Sequence, residues 1–357
     1  VAYRQGTIGR LDVFDIDGYS PLEQKVTLNG ISLNNPVTGY VNYNHIPANR
    51  VGSMSEFKGT NYNSNIRLRD FYLLEPLSYL NFDESALDYR NLEFMVAQNF
   101  RERTNAEISF WDRRDGGTYP DNNVQGSQIL MKGYHYLNQN LQIRGILIRN
   151  QFERDESFGY VVANPQTFAF SQFSTQSNQT NRSSDNLRRD INIGLFARAD
   201  SLSAEKWGIE LHHSKNEFRL PFTADTLDWD VRSQALKGFT SYSIGALNLK
   251  GDISLNRFNA KKHKNFAKSN WGIIDAGLSG QLNLSSNLDM YTQNGIEYRT
   301  DNNIGYLASI GLQTKGNLRF NFNAGLFSRI PTIQQMYWRS DDFFGVDSIK
   351  KIGRAHV

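Results

Sequence analysis

Side chains alternate between apolar and polar from about Ser78 to Ile330, in runs of ten to sixteen residues separated by breaks. In Leu318–Leu326, every second residue from Leu318 is apolar, while Arg319, Asn321, Asn323 and Gly325 occupy the other positions. Successive side chains of a β-strand point to opposite faces, so each run predicts a strand with one apolar and one polar face. About thirteen such strands fit between Ser78 and Ile330.

Strand length separates two all-β architectures that both alternate. Strands of soluble sandwiches usually have about 5–6 residues, whereas a tilted membrane-spanning strand needs about 9–11. Most of the predicted strands reach the longer range. A charge on the lipid face near the bilayer midplane costs roughly 2–4 kcal/mol, and most Arg, Lys and Asp residues of these runs lie on the polar side. This favours an antiparallel, up-and-down transmembrane β-barrel over a soluble β protein.

Connection lengths provide an independent argument for a barrel. Connections after even-numbered strands are short: Arg101–Asn105, Tyr136–Asn140, Asp200–Lys206, Ile244–Ala246, Ser285–Asn287 and Lys315–Asn317. Most of the others are longer: Asp112–Asn123, Glu153–Asp185, Leu220–Asp230, Asn259–Lys268 and the segment after Pro331; those near Ala86–Arg90 and Asp301–Asn303 are exceptions. Outer-membrane barrels have short periplasmic turns and long extracellular loops. We therefore expect the bacterial outer membrane as the location, with Glu153–Asp185 outside.

Bulk composition excludes other classes. No apolar run approaches the eighteen or so residues of a membrane-spanning helix. The formal net charge is +3, from 39 basic and 36 acidic residues mixed along the chain, so no nucleic-acid partner is expected. There is no cysteine, which excludes disulfides and thiolate metal sites.

Residues 1–77 depart from this alternation and predict a compact, loop-rich α/β or β segment that is smaller than a usual domain. Lys25–Leu33 is typical of a hairpin, because Asn29-Gly30 is the strongest two-residue turn signal. Gly18, Gly39, Gly52 and Gly59 and the Asn35-Pro36 and Ile46-Pro47 steps mark further turns.

Several of these elements together resemble a known family. Ile16–Pro21, Val26–Pro36, Ile46-Pro47 and Val51–Gly59, in that order, resemble the second half of the plug of a TonB-dependent receptor. Phe327–Trp338 resembles the Phe-Arg-x-Pro-Thr-x-x-Glu-Leu-Tyr stretch late in the barrel of that family. The resemblance spans nearly the whole chain, but each motif is degenerate. Asp17 replaces the usual Arg, Gln335 replaces the usual Glu, and Asn61–Asn65 replaces a Gly-Gly element.

The resemblance implies a domain organisation and a function. Residues 1–77 would be part of a plug and residues 78–351 part of a barrel. The function implied is energised uptake of a scarce nutrient. The implied partners are outer-membrane lipid and lipopolysaccharide, an inner-membrane energy-coupling protein, and an unidentified small-molecule, glycan or peptide ligand. Plug-top loops of the family hold substrate, which makes Asn34, Asn35, Tyr40 and Tyr43 candidate substrate-binding residues.

The C-terminal residues 352–357, Ile-Gly-Arg-Ala-His-Val, are expected to be a non-native, adapter-derived tail. Closed single-chain bacterial barrels have even strand numbers, and plugged transporters have 22. About thirteen strands therefore predict an incomplete barrel, an open and curved half-barrel.

No catalytic motif, cofactor site or metal site is predicted. His212 and His213 should face opposite sides of a strand, Asp112–Gly117 is more consistent with a solvated turn than with a calcium loop, and Lys261–Lys264 with a solvated loop. Tyr134, Tyr136, Tyr298 and Trp271 are expected in interfacial aromatic girdles.

Three other functions remain open. The chain could be a passive porin or structural barrel without energy coupling. It could be a barrel enzyme, although no catalytic constellation is visible. It could be an adhesin that binds through Glu153–Asp185.

Overall fold

A computed structural model gives the fold. It describes residues 14–86, 88–117, 120–156, 160–162, 175–177, 182–199, 204–221, 226–261, 269–315, 320–337 and 352–356. Among these residues, no helix has both the length and the apolar character needed to cross a membrane.

Long antiparallel strands dominate the chain. The first four strands are β1 (Gln24–Leu28), β2 (Ile31–Ser32), β3 (Val51–Lys58) and β4 (Tyr62–Leu68). The next seven are β5 (Leu77–Glu84), β6 (Arg90–Arg101), β7 (Thr104–Asp115), β8 (Val124–Asn138), β9 (Leu141–Asp155), β10 (Tyr160–Val162) and β11 (Thr175–Ser177). Then follow β12 (Ser183–Arg198), β13 (Glu205–Pro221), β14 (Thr226–Ile244), β15 (Leu247–Lys261), β16 (Asn270–Ser285), β17 (Leu288–Arg299), β18 (Asn303–Thr314), β19 (Asn321–Arg329) and β20 (Ile352–His356). Helical segments are short: 3-10 turns at Pro21–Glu23, Tyr43–His45 and Ala48–Arg50, and the helix α1 (Ile333–Tyr337).

The large sheet is an antiparallel meander. Its strand order is β20-β19-β18-β17-β16-β15-β14-β13-β12-β9-β8-β7-β6-β5, so each strand up to β19 pairs with its neighbours in sequence apart from the β10–β11 insertion. Within the described residues, β5 and β20 form the two edges. The predicted all-β fold with about thirteen barrel strands is confirmed by β5–β9 and β12–β19. Ile352–His356, within the expected non-native tail, pairs with β19 as β20.

Each barrel strand has an outer apolar face and an inner polar face. On β12, Ile191 and Ile193 are exposed, whereas Asp190 and Asn192 between them are buried. Outward apolar side chains keep charge away from lipid. The plug covers part of the opposite face, and this makes those polar side chains buried.

The short and long connections lie on opposite rims, as predicted. On one rim, residues 102–103, 139–140, 245–246 and 286–287 join neighbouring strands of the large sheet. On the other rim, residues 116–123, 156–182 and 262–269 do so. We call these the short-turn rim and the long-loop rim. The predicted Leu220–Asp230 loop is wrong, because β14 begins at Thr226 and only residues 222–225 remain as the connection. The Glu153–Asp185 segment contains the β10–β11 pair, and most of its remaining residues lie outside the described residues, as do Lys262–Lys264.

The plug has a mixed sheet of order β2-β1-β4-β3. β1 and β2 form the predicted hairpin, in which Asn29 and Gly30 have φ values of 46° and 82°. Positive φ at both central positions is the condition for the tight turn that fits the strand twist. β4 pairs parallel to β1, so β1 lies inside the plug sheet and β2 forms one of its edges.

One apolar core joins the plug to the barrel wall. Val26, Leu28 and Ile31 from the plug are fully buried in a cluster that also contains Leu130 and Ile148 from β8 and β9. The plug therefore rests on the inner face of β8 and β9.

Tyr134, Tyr136 and Trp271 were expected in interfacial aromatic girdles, and the structure shows that this prediction is wrong for these three residues. Tyr134 and Trp271 are 7% and 3% exposed and point into the lumen, where Tyr134 donates to the Phe71 carbonyl at 2.6 Å. Tyr136 shares the phase of Tyr134 and contacts its ring. Alternation determines which residues of a strand lie on the same face. In β8 and β16, these aromatic residues lie on the face that points into the lumen.

Candidate functional site

The loop that follows the plug hairpin, residues 33–42, reaches the long-loop rim. We call it the apex loop, because it forms the apex of the plug. Val37 is fully buried in a cluster with Trp229, Trp271 and Ile333. The Gln334 amide of α1 donates to the Val37 carbonyl at 3.1 Å. The α1 segment therefore lies against the plug apex, at the end of the lumen where the long loops begin.

Asn34 is one of the predicted binding residues, and its side chain is engaged within the plug. Its Nδ2 donates to the carbonyls of Gln24 (2.7 Å) and Gly39 (2.9 Å), and its Oδ1 accepts from the Val26 amide at 3.1 Å. This pattern closes the base of the apex loop and gives Asn34 a structural role.

Asn35 links the apex loop to the barrel. Its Oδ1 accepts from the amides of Val37 (2.8 Å) and Thr38 (3.1 Å), and its Nδ2 donates to Asn216 of β13 at 3.4 Å. It therefore lies at the junction of plug and wall.

The two predicted tyrosines differ in position. The Tyr43 hydroxyl donates to Gln24 at 2.8 Å, and burial raises its pKa. Tyr40 is half-buried in the apex loop. The structure brings Asn35 and Tyr40 to the rim end of the plug, while Asn34 and Tyr43 bond within it.

Two stacked aromatic pairs line the long-loop end of the lumen, and the sequence reasoning did not select them. Phe218 and Trp229 stack with ring centroids 4.4 Å apart, and Phe258 and Trp271 stack at 5.3 Å. The sequence does show single aromatic residues at lumen-facing positions close to a long loop. Which of them stack in pairs depends on how neighbouring strands are aligned, and the sequence alone does not show this.

A cavity of about 1010 Å³ lies between the plug and the wall formed mainly by β12–β17. Its charged lining includes Lys25, Lys237, Asp252, Asp275 and Glu297. Lys25 of the plug crosses to Glu297 at 3.1 Å, and this carboxylate raises the pKa of the lysine. The cavity is therefore polar and contains both charge signs.

Buried ion pairs and hydrogen bonds attach the plug to the wall. Arg50 bonds Glu107 of β7 at 3.0 Å and 2.5 Å, with side-chain exposures of 8% and 1%. Arg188 of β12 donates to the carbonyls of Ser32 (2.5 Å) and Leu33 (3.2 Å) at the hairpin. These contacts attach the plug to β7 and β12, on either side of the β8–β9 pair.

Charged networks support these attachments. Arg188 is held by Asp190 at 2.7 Å, and Asp190 is 3.1 Å from His212. Near the short-turn rim, Glu205 lies within 3.3 Å of Arg67 of the plug, and within 3.0 Å of Arg144 and of Arg198. Buried charges are stable only when they are paired in this way.

His45 is a buried, neutral histidine in the plug. Burial, reinforced by the Arg188 charge, lowers its pKa to about 3, while Asp190 acts in the opposite direction. One ring nitrogen lies 3.2 Å from Asn42, and the ring stacks near Phe152 of β9. The ring is part of the plug–wall packing.

Solved structures show the same arrangement of plug and barrel. The siderophore receptor PirA from Acinetobacter baumannii aligns with a TM-score of 0.67 and 12% identity, over 92% of this chain and 56% of that structure. A variant of the ferric enterobactin receptor PfeA from Pseudomonas aeruginosa gives 0.68 and 12%, over 93% and 57%. The FrpB iron transporter from Neisseria meningitidis gives 0.66 and 10%, over 90% and 58%.

The chain has the fold of these receptors. The predicted resemblance to TonB-dependent receptors is thereby confirmed at the level of fold. The predicted location in the bacterial outer membrane agrees with this fold. The chain spans a little over half the length of the structures it matches. No protein-family model and no curated protein sequence matches it.

Proposed function

We propose that the chain is part of an outer-membrane receptor, not an enzyme, for energised uptake of a scarce nutrient. The observation that carries this proposal is a plug sheet that lies in the lumen and is attached to the wall by ion pairs and hydrogen bonds beside two apolar clusters. The polar contacts can exchange their hydrogen bonds with water when the plug moves, which lowers the cost of displacing it.

Two solved structures of this fold are described as siderophore or ferric enterobactin receptors and a third as an iron transporter. This supports a chelated-iron ligand as the first to test. Asn35, Tyr40 and the stacked pairs at the long-loop rim form the proposed entry site, with Asn34 and Tyr43 fixing the apex loop. The long-loop rim faces the cell exterior in this proposal, and an inner-membrane energy-coupling protein acts on the plug.

The proposal is tested by uptake of radioactive iron, presented as ferric siderophores, into cells that make the full-length protein. Uptake should stop when a protonophore removes the proton gradient, while ligand binding at the cell surface continues. Uptake that persists without the gradient would contradict energised transport.

Passive permeation is the second candidate, and the cavity beside the plug favours it. A passive barrel would conduct small ions in a planar bilayer without any coupling protein. The energised receptor should show no such steady conductance.

A further inference from the structure

A row of four cations crosses four neighbouring strands on the outer face of the barrel. Arg149 of β9 pairs in register with Arg189 of β12, Arg189 with Lys215 of β13, and Lys215 with Arg232 of β14. We call these four residues the cationic row. Neighbouring strands lie about 4.8 Å apart, so the row extends over roughly 14 Å.

The cationic row points away from the lumen. Its members alternate along their strands with buried lumen residues such as Asn150, Arg188, Ser214 and Val231. Arg189 and Arg232 are exposed, and Arg149 and Lys215 are half-buried. The row is therefore separate from the plug attachments and from the cavity.

The row lies at the boundary of the apolar band, on the long-loop side. Two residues nearer the middle of the strands, the outer face carries Leu147, Ile191, His213 and Gln234 in register. Two residues further on, Ile193, Leu211 and Leu236 are 54%, 62% and 44% exposed. With a rise of about 3.3 Å per residue, the cations lie roughly 13 Å from this apolar level.

Like charges directly opposite each other across a ladder destabilise a sheet. The row contains three such pairs in succession. Lys215 has carboxylate partners in Glu217 and Asp230. In the part of the chain that the structure describes, Arg149, Arg189 and Arg232 have no carboxylate within 4.0 Å, and Arg149 bonds the neutral Gln151. The four cations outnumber the two carboxylates beside them, so binding an external anion would reduce the repulsion within the row.

We propose that the cationic row binds the phosphate groups of a phosphorylated glycolipid, lipopolysaccharide, in the outer leaflet. Guanidinium groups match phosphate oxygens in bidentate geometry, and basic side chains at a bilayer surface attract anionic head groups. Position decides for a lipid, because the row borders the lipid-facing band and lies on the rim assigned to the cell exterior. The inference rests on that proposed orientation.

Native mass spectrometry of the full-length protein in detergent tests the proposal, with lipid A carrying both phosphates as the probe. The double substitution Arg189→Gln with Lys215→Gln should weaken binding roughly 30-fold, because each basic residue near an anionic lipid surface contributes about fivefold. The control Arg101→Gln with Lys206→Gln also removes two exposed cations, near the short-turn rim, and should leave binding unchanged. Arg189→Lys should restore most of the affinity lost in Arg189→Gln.

Four results would overturn the proposal. The first is equal binding of lipid A by the row variant and the parent. The second is equal binding of dephosphorylated lipid A, which would assign binding to acyl chains. The third is displacement of lipid A by millimolar inorganic phosphate, which would identify a free-phosphate site. Loss of a co-purifying acidic protein in the row variant, with lipid binding intact, would likewise assign the row to a protein partner.

Orientation is checked separately, so that the two proposals fail distinguishably. Asn302→Cys on the long-loop rim should react with a membrane-impermeant thiol reagent added to intact cells, and Ser286→Cys on the short-turn rim should not. The reverse result would contradict the proposed orientation. Nutrient uptake does not enter the lipid measurement, so failure of energised transport would leave that measurement interpretable.

Discussion

Removal of the buried carboxylate of Glu107 should loosen the plug more than any exposed ion-pair change. Glu107→Leu leaves the Arg50 guanidinium without its acceptor at 2.5 and 3.0 Å, in a site where that side chain is 8% exposed. Lys132, 3.6 Å from Glu107, retains Asp70 at 3.0 Å, so the uncompensated charge falls mainly on Arg50. Leaving one member of a buried pair unpartnered costs about 3–5 kcal/mol.

Hydrogen exchange of the Arg50 and Arg69 amides measures this cost in the full-length protein. Arg50 donates to Pro47 and Arg69 donates to Arg50, so both amides exchange only after the segment opens. A loss of about 3 kcal/mol corresponds to exchange faster by roughly two orders of magnitude. Arg50→Met combined with Glu107→Leu removes both charges and should restore most of the protection.

Lys58→Gln is the matched control in the plug. Lys58 pairs with Asp17 at 2.5 Å, but the two side chains are 37% and 60% exposed. Such pairs contribute about 1 kcal/mol or less, so protection should change little. If Glu107→Leu exchanged no faster than Lys58→Gln, the reasoning on buried attachment would be refuted.

Three further predictions concern the plug. The folded-state pKa of His45 is about 3, below its ordinary value, so the contribution of this residue to plug stability is complete above about pH 6.5. As the pH falls from there toward 3, the free energy of plug unfolding should decrease by about 1.4 kcal/mol per pH unit. Hydrogen exchange measured against pH should show this slope, and the same slope in His45→Gln would refute the assignment. Gly30→Ala should destabilise the hairpin by about 1–3 kcal/mol, because φ is +82° and a Cβ would collide with Glu210; urea titration of plug protection measures it, and a neutral effect would contradict the turn geometry. Asn34→Ala should cost plug stability by about 1–3 kcal/mol, whereas Tyr40→Ala should lower surface affinity for the ligand without changing plug protection; the opposite pattern would exchange their roles.

The barrel was predictable because every spanning strand needs apolar side chains on the face that contacts lipid, which makes every second residue apolar. Ile191 and Ile193 against Asn192 is a local pattern, and it assigns a strand and its two faces without any distant contact. The Asn29-Gly30 turn is equally local, since it depends on positive φ at two adjacent residues. Both features were confirmed.

Features that depend on register or on distant partners were not predictable. The start of β14 at Thr226 is set by pairing with Pro221, which extends the hairpin beyond the point where the Leu220–Asp230 composition suggested a loop. Tyr134 was expected at the interface, but its hydroxyl bonds the plug chain at Phe71. The sequence identifies an amphipathic aromatic residue, and only the bound partner decides whether it faces lipid or lumen.

The candidate site was also predictable only in part. The family resemblance located the apex loop, and the structure brings that loop to the long-loop rim. The resemblance could not distinguish Asn34, which bonds three backbone groups of the plug, from Asn35, which reaches the wall. The aromatic pairs and the cationic row are formed by residues on different strands, so they become visible only when the ladders are known.

A reversible tether between plug and barrel tests the central claim most directly. The chain has no cysteine, so Lys25→Cys with Glu297→Cys introduces one defined pair across an interface where the native Nζ and Oε2 atoms are 3.1 Å apart. Cysteine side chains are shorter than lysine and glutamate, so the pair is joined by a short bifunctional methanethiosulfonate reagent, whose two disulfides are reducible. Asn256→Cys with Asp275→Cys joins two barrel strands at a similar native separation, 3.2 Å, and serves as the control. Uptake of ferric siderophore by the full-length protein should stop when the Lys25–Glu297 positions are cross-linked and should return on reduction, while the control remains active. Unchanged uptake through a fully cross-linked plug would contradict the account.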